Sequence, residues 1–109
     1  MSVIKLVQGD NRPFITVTLS KRDGDPVNLS DSTTSVRIYF RKYGTDAILS
    51  TIVCGKLTDG TDGKVIFNFP APVLDVEPGN YEGEIEVDFD GEKQTVFTPL
   101  RFVIRGQFD

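Results

Sequence analysis

The sequence predicts an all-β domain, a Greek-key β-sandwich of about seven or eight antiparallel strands. Three observations predict it. No stretch of about ten or more residues keeps apolar positions at helical spacing. Period-two alternation recurs in its place, and clusters of Gly, Pro and Asp separate the alternating runs at short, fairly regular intervals. With 109 residues, 39% hydrophobic and 26% charged, the chain has the size and apolar content of one domain built on one core. We read residues 1–109 as a single sandwich with a short N-terminal arm at 1–8 and a tail at 106–109.

The elements follow in order. Val3 to Val7 is a short first strand, broken by Gly9-Asp10-Asn11 before Pro13, which suits a sheet edge or a strand start. Residues 14–19 point Ile15, Val17 and Leu19 one way and Thr16 and Thr18 the other. Asp23-Gly24 makes a turn, Pro26 halts ladder pairing, and Val27-Asn28-Leu29 resumes as a short extended piece. Residues 33–43 form the longest strand, with Val36, Ile38 and Phe40 on the core face and Arg37, Tyr39 and Arg41 on the other. Residues 47–54 are fairly apolar on both faces, so alternation leaves their register open.

In the second half, residues 64–69 aim Val65, Phe67 and Phe69 inward until Pro70-Ala71-Pro72 ends the strand. Residues 73–80 cross between sheets, with room for a helical turn. Residues 81–89 alternate without a break, Tyr81, Gly83, Ile85, Val87 and Phe89 against Glu82, Glu84, Glu86 and Asp88. Asp90-Gly91 is a tight hairpin, and residues 93–104 return as a last strand broken at Thr98-Pro99. The short strand spacing and the long crossing connection fit a Greek-key sandwich better than a parallel sheet; the expected sandwich is immunoglobulin-like, with neither the Cys pair nor the core Trp of an antibody-type domain. Tyr81, just after Pro78-Gly79, stands where a corner tyrosine or a plain core residue would stand.

Composition removes several functions. A net charge of −4 at pH 7 and a pI near 4.7 leave no basic footprint for general nucleic-acid binding or for anionic membranes. The N-terminus lacks the charged and apolar regions of a signal peptide, and no run reaches the ~18 apolar residues of a membrane span. The expectation is a soluble product made in the cytoplasm. Cys54 is the single cysteine; it has no intramolecular disulfide partner, which favours a reducing compartment, and its apolar run predicts a buried, inert thiol.

No histidine is present, so a Ser-His-Asp triad and a His-rich zinc site are both impossible. Glu82, Glu84, Glu86 and Asp88 share one strand face that reads as solvated, whereas carboxylate acid–base chemistry needs opposed environments across a cleft. The chain therefore reads as non-enzymatic. In a sandwich of this topology the 81–89 strand lies between the last strand and the 33–43 strand. Arg37 and Arg41 then flank the acids from one side and Arg101 and Arg105 from the other, as cross-strand ion pairs and also as a charged docking face. Asp23-Gly24-Asp25 and residues 59–63 match calcium loops only in composition, so no metal is expected. Neither Gly9 nor Gly24 begins a helix that could hold a phosphate, and no cofactor is expected. Tyr39 and Tyr43 are the candidates for stacking on a sugar, which keeps a carbohydrate-binding domain for host-surface attachment as the alternative function. Val3, Ile4 and Lys5 of the first strand could add to a partner's sheet, and Phe108 is an apolar side chain beyond the last strand.

Three strings carry a resemblance: Gln8-Gly9-Asp10-Asn11-Arg12-Pro13; Asp23-Gly24 with Pro26-Val27-Asn28-Leu29; and Val36-Arg37-Ile38-Tyr39-Phe40-Arg41. Asp62-Gly63-Lys64-Val65, Pro78-Gly79-Asn80-Tyr81-Glu82-Gly83-Glu84-Ile85 and Phe102-Val103-Ile104 continue it. Together they resemble the immunoglobulin-like domain at the N-terminus of the phage baseplate upper protein and related domains of tailed-phage virions. The resemblance implies a structural virion component that anchors fibres or receptor-binding proteins to a baseplate, tail or head. It further implies synthesis in the host cytoplasm and assembly in several copies with other virion proteins. Because the sequence stops at Asp109, the expectation is a small adaptor, connector or decoration protein acting by protein–protein binding.

Overall fold

The longest alternating run in the chain becomes its organising strand. In the computed structural model, which describes residues 3–21, 23–70, 72–96 and 99–108, the strands are β1 (Val3–Val7), β2 (Phe14–Thr18), β3 (Thr34–Lys42), β4 (Ser50–Lys56), β5 (Lys64–Asn68), β6 (Gly79–Phe89), β7 (Glu92–Thr95) and β8 (Leu100–Arg105). No helix occurs among the described residues, and the fold is all-β and sandwich-like. β6, at 11 residues, exceeds β3, at 9, which corrects the expected order of length. Thr33 is held out of β3 because its amide and hydroxyl both donate to Asp31 Oδ1. Tyr81 starts two residues inside β6, since Gly79 and Asn80 already pair with Ile104 and Val103.

The hydrogen-bonded path runs β1-β8-β6-β3-β4-β5-β2, with β7 also on β6. β6 lies between β8 and β3, as the sequence implies. β7 pairs with the second half of β6 and β8 with the first half, so the two share one position interrupted around Pro99; Thr98 lies outside the described residues. β4 changes partner along its length: residues up to Cys54 pair with β3, and Gly55 and Lys56 pair with β5. That switch curls the sheet into two layers, a wide one of β1, β8 with β7, β6, β3 and β4, and a narrow one of β5 and β2.

Two expectations about pairing need correction. The sheet is mixed, because β1 pairs parallel with β8. The two strands are linked through the whole rest of the domain, a connection ample for parallel pairing. Residues 27–29 form no strand; a single bridge joins Ser20 and Pro26. Two backbone bonds hold the piece in place instead, Val27 N–H to Leu19 O and Leu29 N–H to Gly60 O. Gly60 permits this approach, with φ of +95° and a position where a Cβ would sit 2.7 Å from the Leu29 carbonyl carbon. The 73–80 crossing contains turns closed by Val73 N–H to Pro70 O and Asp75 N–H to Pro72 O.

One core joins the layers. Phe40 meets Phe69 and Phe102 edge-on and stacks on Tyr81 with ring centroids 5.2 Å apart. Ile38, Leu29, Leu74, Val36, Val65 and Ile104 are also fully buried, each side chain contributing about 1.5–3 kcal/mol by leaving water. Tyr81 is core, and its hydroxyl donates to Glu77 O at 2.6 Å.

Candidate protein-binding face

The pleat of the wide layer divides its side chains strictly. Inward go Ile4 and Leu6 of β1, Phe102 and Ile104 of β8, Tyr81, Ile85 and Val87 of β6, Val36, Ile38 and Phe40 of β3, and Ile52 of β4. The alternate residues form the outer face, and the register decides which of them meet.

Across β3 and β6, Arg41 stands opposite Glu82 and Arg37 opposite Glu86. The first pair forms: Arg41 Nε donates to Glu82 Oε1 at 2.7 Å, with the two side chains 37% and 11% exposed. Arg37 does not bond Glu86, whose Oε1 accepts the Tyr39 hydroxyl at 3.0 Å. Arg101 faces Glu82 across β8 and β6, yet its guanidinium lies 4.1 Å from the Tyr43 ring centre and donates to the Tyr43 hydroxyl. Glu82 is already occupied by Arg41, so stacking is the better use of that guanidinium. Arg105 lies past the end of β6, where pairing stops at Ile104 and Gly79. It donates to Gly106 O and covers the Phe108 ring at 4.8 Å. Of the four flanking arginines, one forms an ion pair with the acidic strand.

The acidic face is also less uniform than alternation suggests. Glu82 is 8% exposed, covered by Arg41, whereas Glu84 is exposed and Glu86 half-buried. Of the candidate contact residues in β1, Val3 and Lys5 are exposed, and Ile4 is half-buried with its side chain packed against the core. Phe108 is 91% exposed and keeps its candidacy.

Register supplies a residue that alternation alone left undecided. Cys54 opposite Val36 and Ile52 opposite Ile38 turn Val53 outward, where it is 70% exposed beside Arg37. Tyr43 and Val103 are exposed on the same face. The outer face therefore carries apolar and aromatic side chains set among Arg37, Arg41 and Arg101. Inward, Cys54 is only half-exposed at most, and burial pushes its thiol up to about 12, which keeps it protonated and unreactive near neutral pH.

The aspartate-rich loops spend their carboxylates on their own turns. Asp59 Oδ1 accepts the amide and the hydroxyl of Thr61, and these bonds lower its pKa. Asp62 Oδ1 accepts Lys64 N–H and Asp23 Oδ1 accepts Asp25 N–H. Such Asx turns stiffen the loops that join the layers.

A scan against protein-family models finds no match to this chain, and a search of the curated proteins finds none either.

Proposed function

We propose that this chain is a non-enzymatic structural module that binds other proteins through the outer face of its wide layer. The observation that carries the reading is that the outer face of the five-position sheet exposes apolar and aromatic side chains beside arginines at both ends, Tyr43 and Val103 near Arg101 and Val53 opposite Arg37. Exposed aromatic and arginine side chains are enriched in protein interfaces. Arg101 already covers one face of Tyr43, and Glu86 holds the Tyr39 hydroxyl. That favours a protein partner over sugar stacking, which needs free ring faces.

An immunoglobulin-like assignment is supported by the Tyr81 to Glu77 hydrogen bond. The setting, a tailed-phage virion in which several copies hold baseplate, tail or head proteins after synthesis in the host cytoplasm, is supported by the sequence resemblance between residues 7 and 104. The test is mass spectrometry of purified particles from a host carrying the gene, for the natural chain and for Val53→Glu. The natural chain is expected in the particle. Val53→Glu is expected to fold with unchanged stability, because the site is exposed, and to be left out of the particle. Absence of the natural chain, or equal incorporation of the variant, overturns the proposal.

A further inference from the structure

β4 leaves the wide layer partway along its length, and the departure bares part of its outer edge. Tyr43 N–H donates to Asn80 O, so by the period of two the odd-numbered residues of β3 turn their backbone groups to β6 and the even-numbered ones to β4. Phe40, Ile38 and Val36 therefore bond Ser50, Ile52 and Cys54. The N–H and C=O groups of Thr51 and Val53 point the other way. Gly55, next in that series, pairs with Ile66 of β5. Toward Ser50 the two strands part. By Phe69 the chain after β5 lies in the opposite layer, its ring edge-on to that of Phe40, and facing layers stand about 10 Å apart. Thr51 and Val53 have no ladder partner on that side among the described residues, and both are exposed.

Free strand edges are normally guarded, most often by charge. β1, at one end of the path, has Lys5 at its centre, whereas residues 47–55 carry no charge at all. Ile48, Leu49, Val53 and Leu57, each at least 44% exposed, crowd the same segment. The edge is also complementary to itself. Two copies of β4 set antiparallel, with Thr51 of each opposite Val53 of the other, bond every outward N–H to an outward C=O across a two-fold axis. A shift of register by two residues sets Val53 against Leu49, whose N–H is taken by Phe40 O, or Thr51 against Gly55, which β5 holds. The matched register brings Leu57 of each copy toward Ala47 and Ile48 of the other, and Asp46 toward Lys56. Neither Asp46 nor Lys56 is in an ion pair among the described residues, so each is free to meet the other's charge.

The geometry points to a symmetric dimer of this chain: two β4 edges pair antiparallel about Ile52 and join the wide layers of both copies into one continuous sheet. Backbone groups along the edge carry the contact, which leaves the centre of the outer face open to another partner. The test is sedimentation equilibrium of the full chain from micromolar to millimolar concentration, with isotope-filtered NMR on a mixture of labelled and unlabelled chains. A monomer–dimer equilibrium with a micromolar dissociation constant is expected, together with a contact between the Ile52 Hα atoms of the two copies, which face each other in a non-hydrogen-bonded pair. Thr51→Pro removes one outward N–H from each copy without touching the ladder to β3. It is expected to leave a monomer whose melting is unchanged. Asp46→Lys is expected to weaken the dimer about tenfold, and Lys56→Asp added to it to restore the affinity. Val103→Glu lies on β8, three strands from β4 along the path, and is expected to stay dimeric, which keeps a failure here distinct from a failure of the outer-face proposal. A monomer at millimolar concentration, a dimer that survives Thr51→Pro, indifference to the charge swap, or loss of the dimer in Val103→Glu overturns the assignment.

Discussion

The inner and outer faces of β3 and β6 are made by the same two strands in the same register, yet they are held together by different physics. Inward, Phe40 and Tyr81 stack, and Ile38 stands opposite Ile85, in a core where every ring has a neighbour and no water competes. Outward, one residue along, Arg41 and Glu82 bond while Arg37 and Glu86, opposite each other, do not. Apolar packing is set by position alone, because any side chain turned inward has to touch something. Polar pairing on an exposed face is a choice among partners, and hydration makes most of the choices nearly equal.

That contrast can be broken most strongly from the inside. Phe40→Ala removes a fully buried ring in contact with three others and is expected to cost about 3–5 kcal/mol. Urea unfolding, read as a shift in midpoint at constant slope, checks it; a loss below about 1 kcal/mol would mean the aromatic cluster is not the core's centre. Gly83→Ala probes the same face by overfilling. A Cβ there would lie 2.8 Å from Ile38 Cγ2 and 3.0 Å from Phe102 Cε2, and the expected cost is about 1–3 kcal/mol. Pairing it with Ile38→Ala, which removes Cγ2, in a double-mutant cycle is expected to give a favourable coupling that offsets part of that loss, since the smaller neighbour makes room. The outer face responds least. A cycle on Arg41→Ala and Glu82→Ala is expected to give a coupling of about 0.5–1 kcal/mol that shrinks at high salt. A coupling that is large and indifferent to salt would place this pair in the interior class and erase the contrast.

The outcome for the candidate face follows from the same distinction. Alternation in residues 81–89 and 33–43 named the residues of each outer face, the expected sandwich topology made Arg37 and Arg41 neighbours of the acids, and β6 does lie between β3 and β8. Which of them bond was not legible, because Tyr39 and Arg37 compete for Glu86, and Tyr43 competes with Glu82 for Arg101. Which face of β1 is covered was not legible for a simpler reason: a short edge strand has no flanking pattern long enough to say. Val53 was hidden because residues 47–54 are apolar on both sides, and only pairing with β3 fixes which side is out.

By itself the sequence determined that this is an all-β chain, where most strands begin and end, and which residues of β3, β5 and β6 make the core. These follow from local backbone preference and from the period of two, both properties of neighbouring residues. Only the tertiary structure decided that β1 runs parallel to β8, that β4 passes from one layer to the other at Gly55, that Leu29 is pinned by Gly60, and that β2 pairs with β5 alone among the described residues. Each of these depends on contacts between residues far apart in the chain, where the winner among several acceptable partners is set by the packing of the whole and not by any one segment.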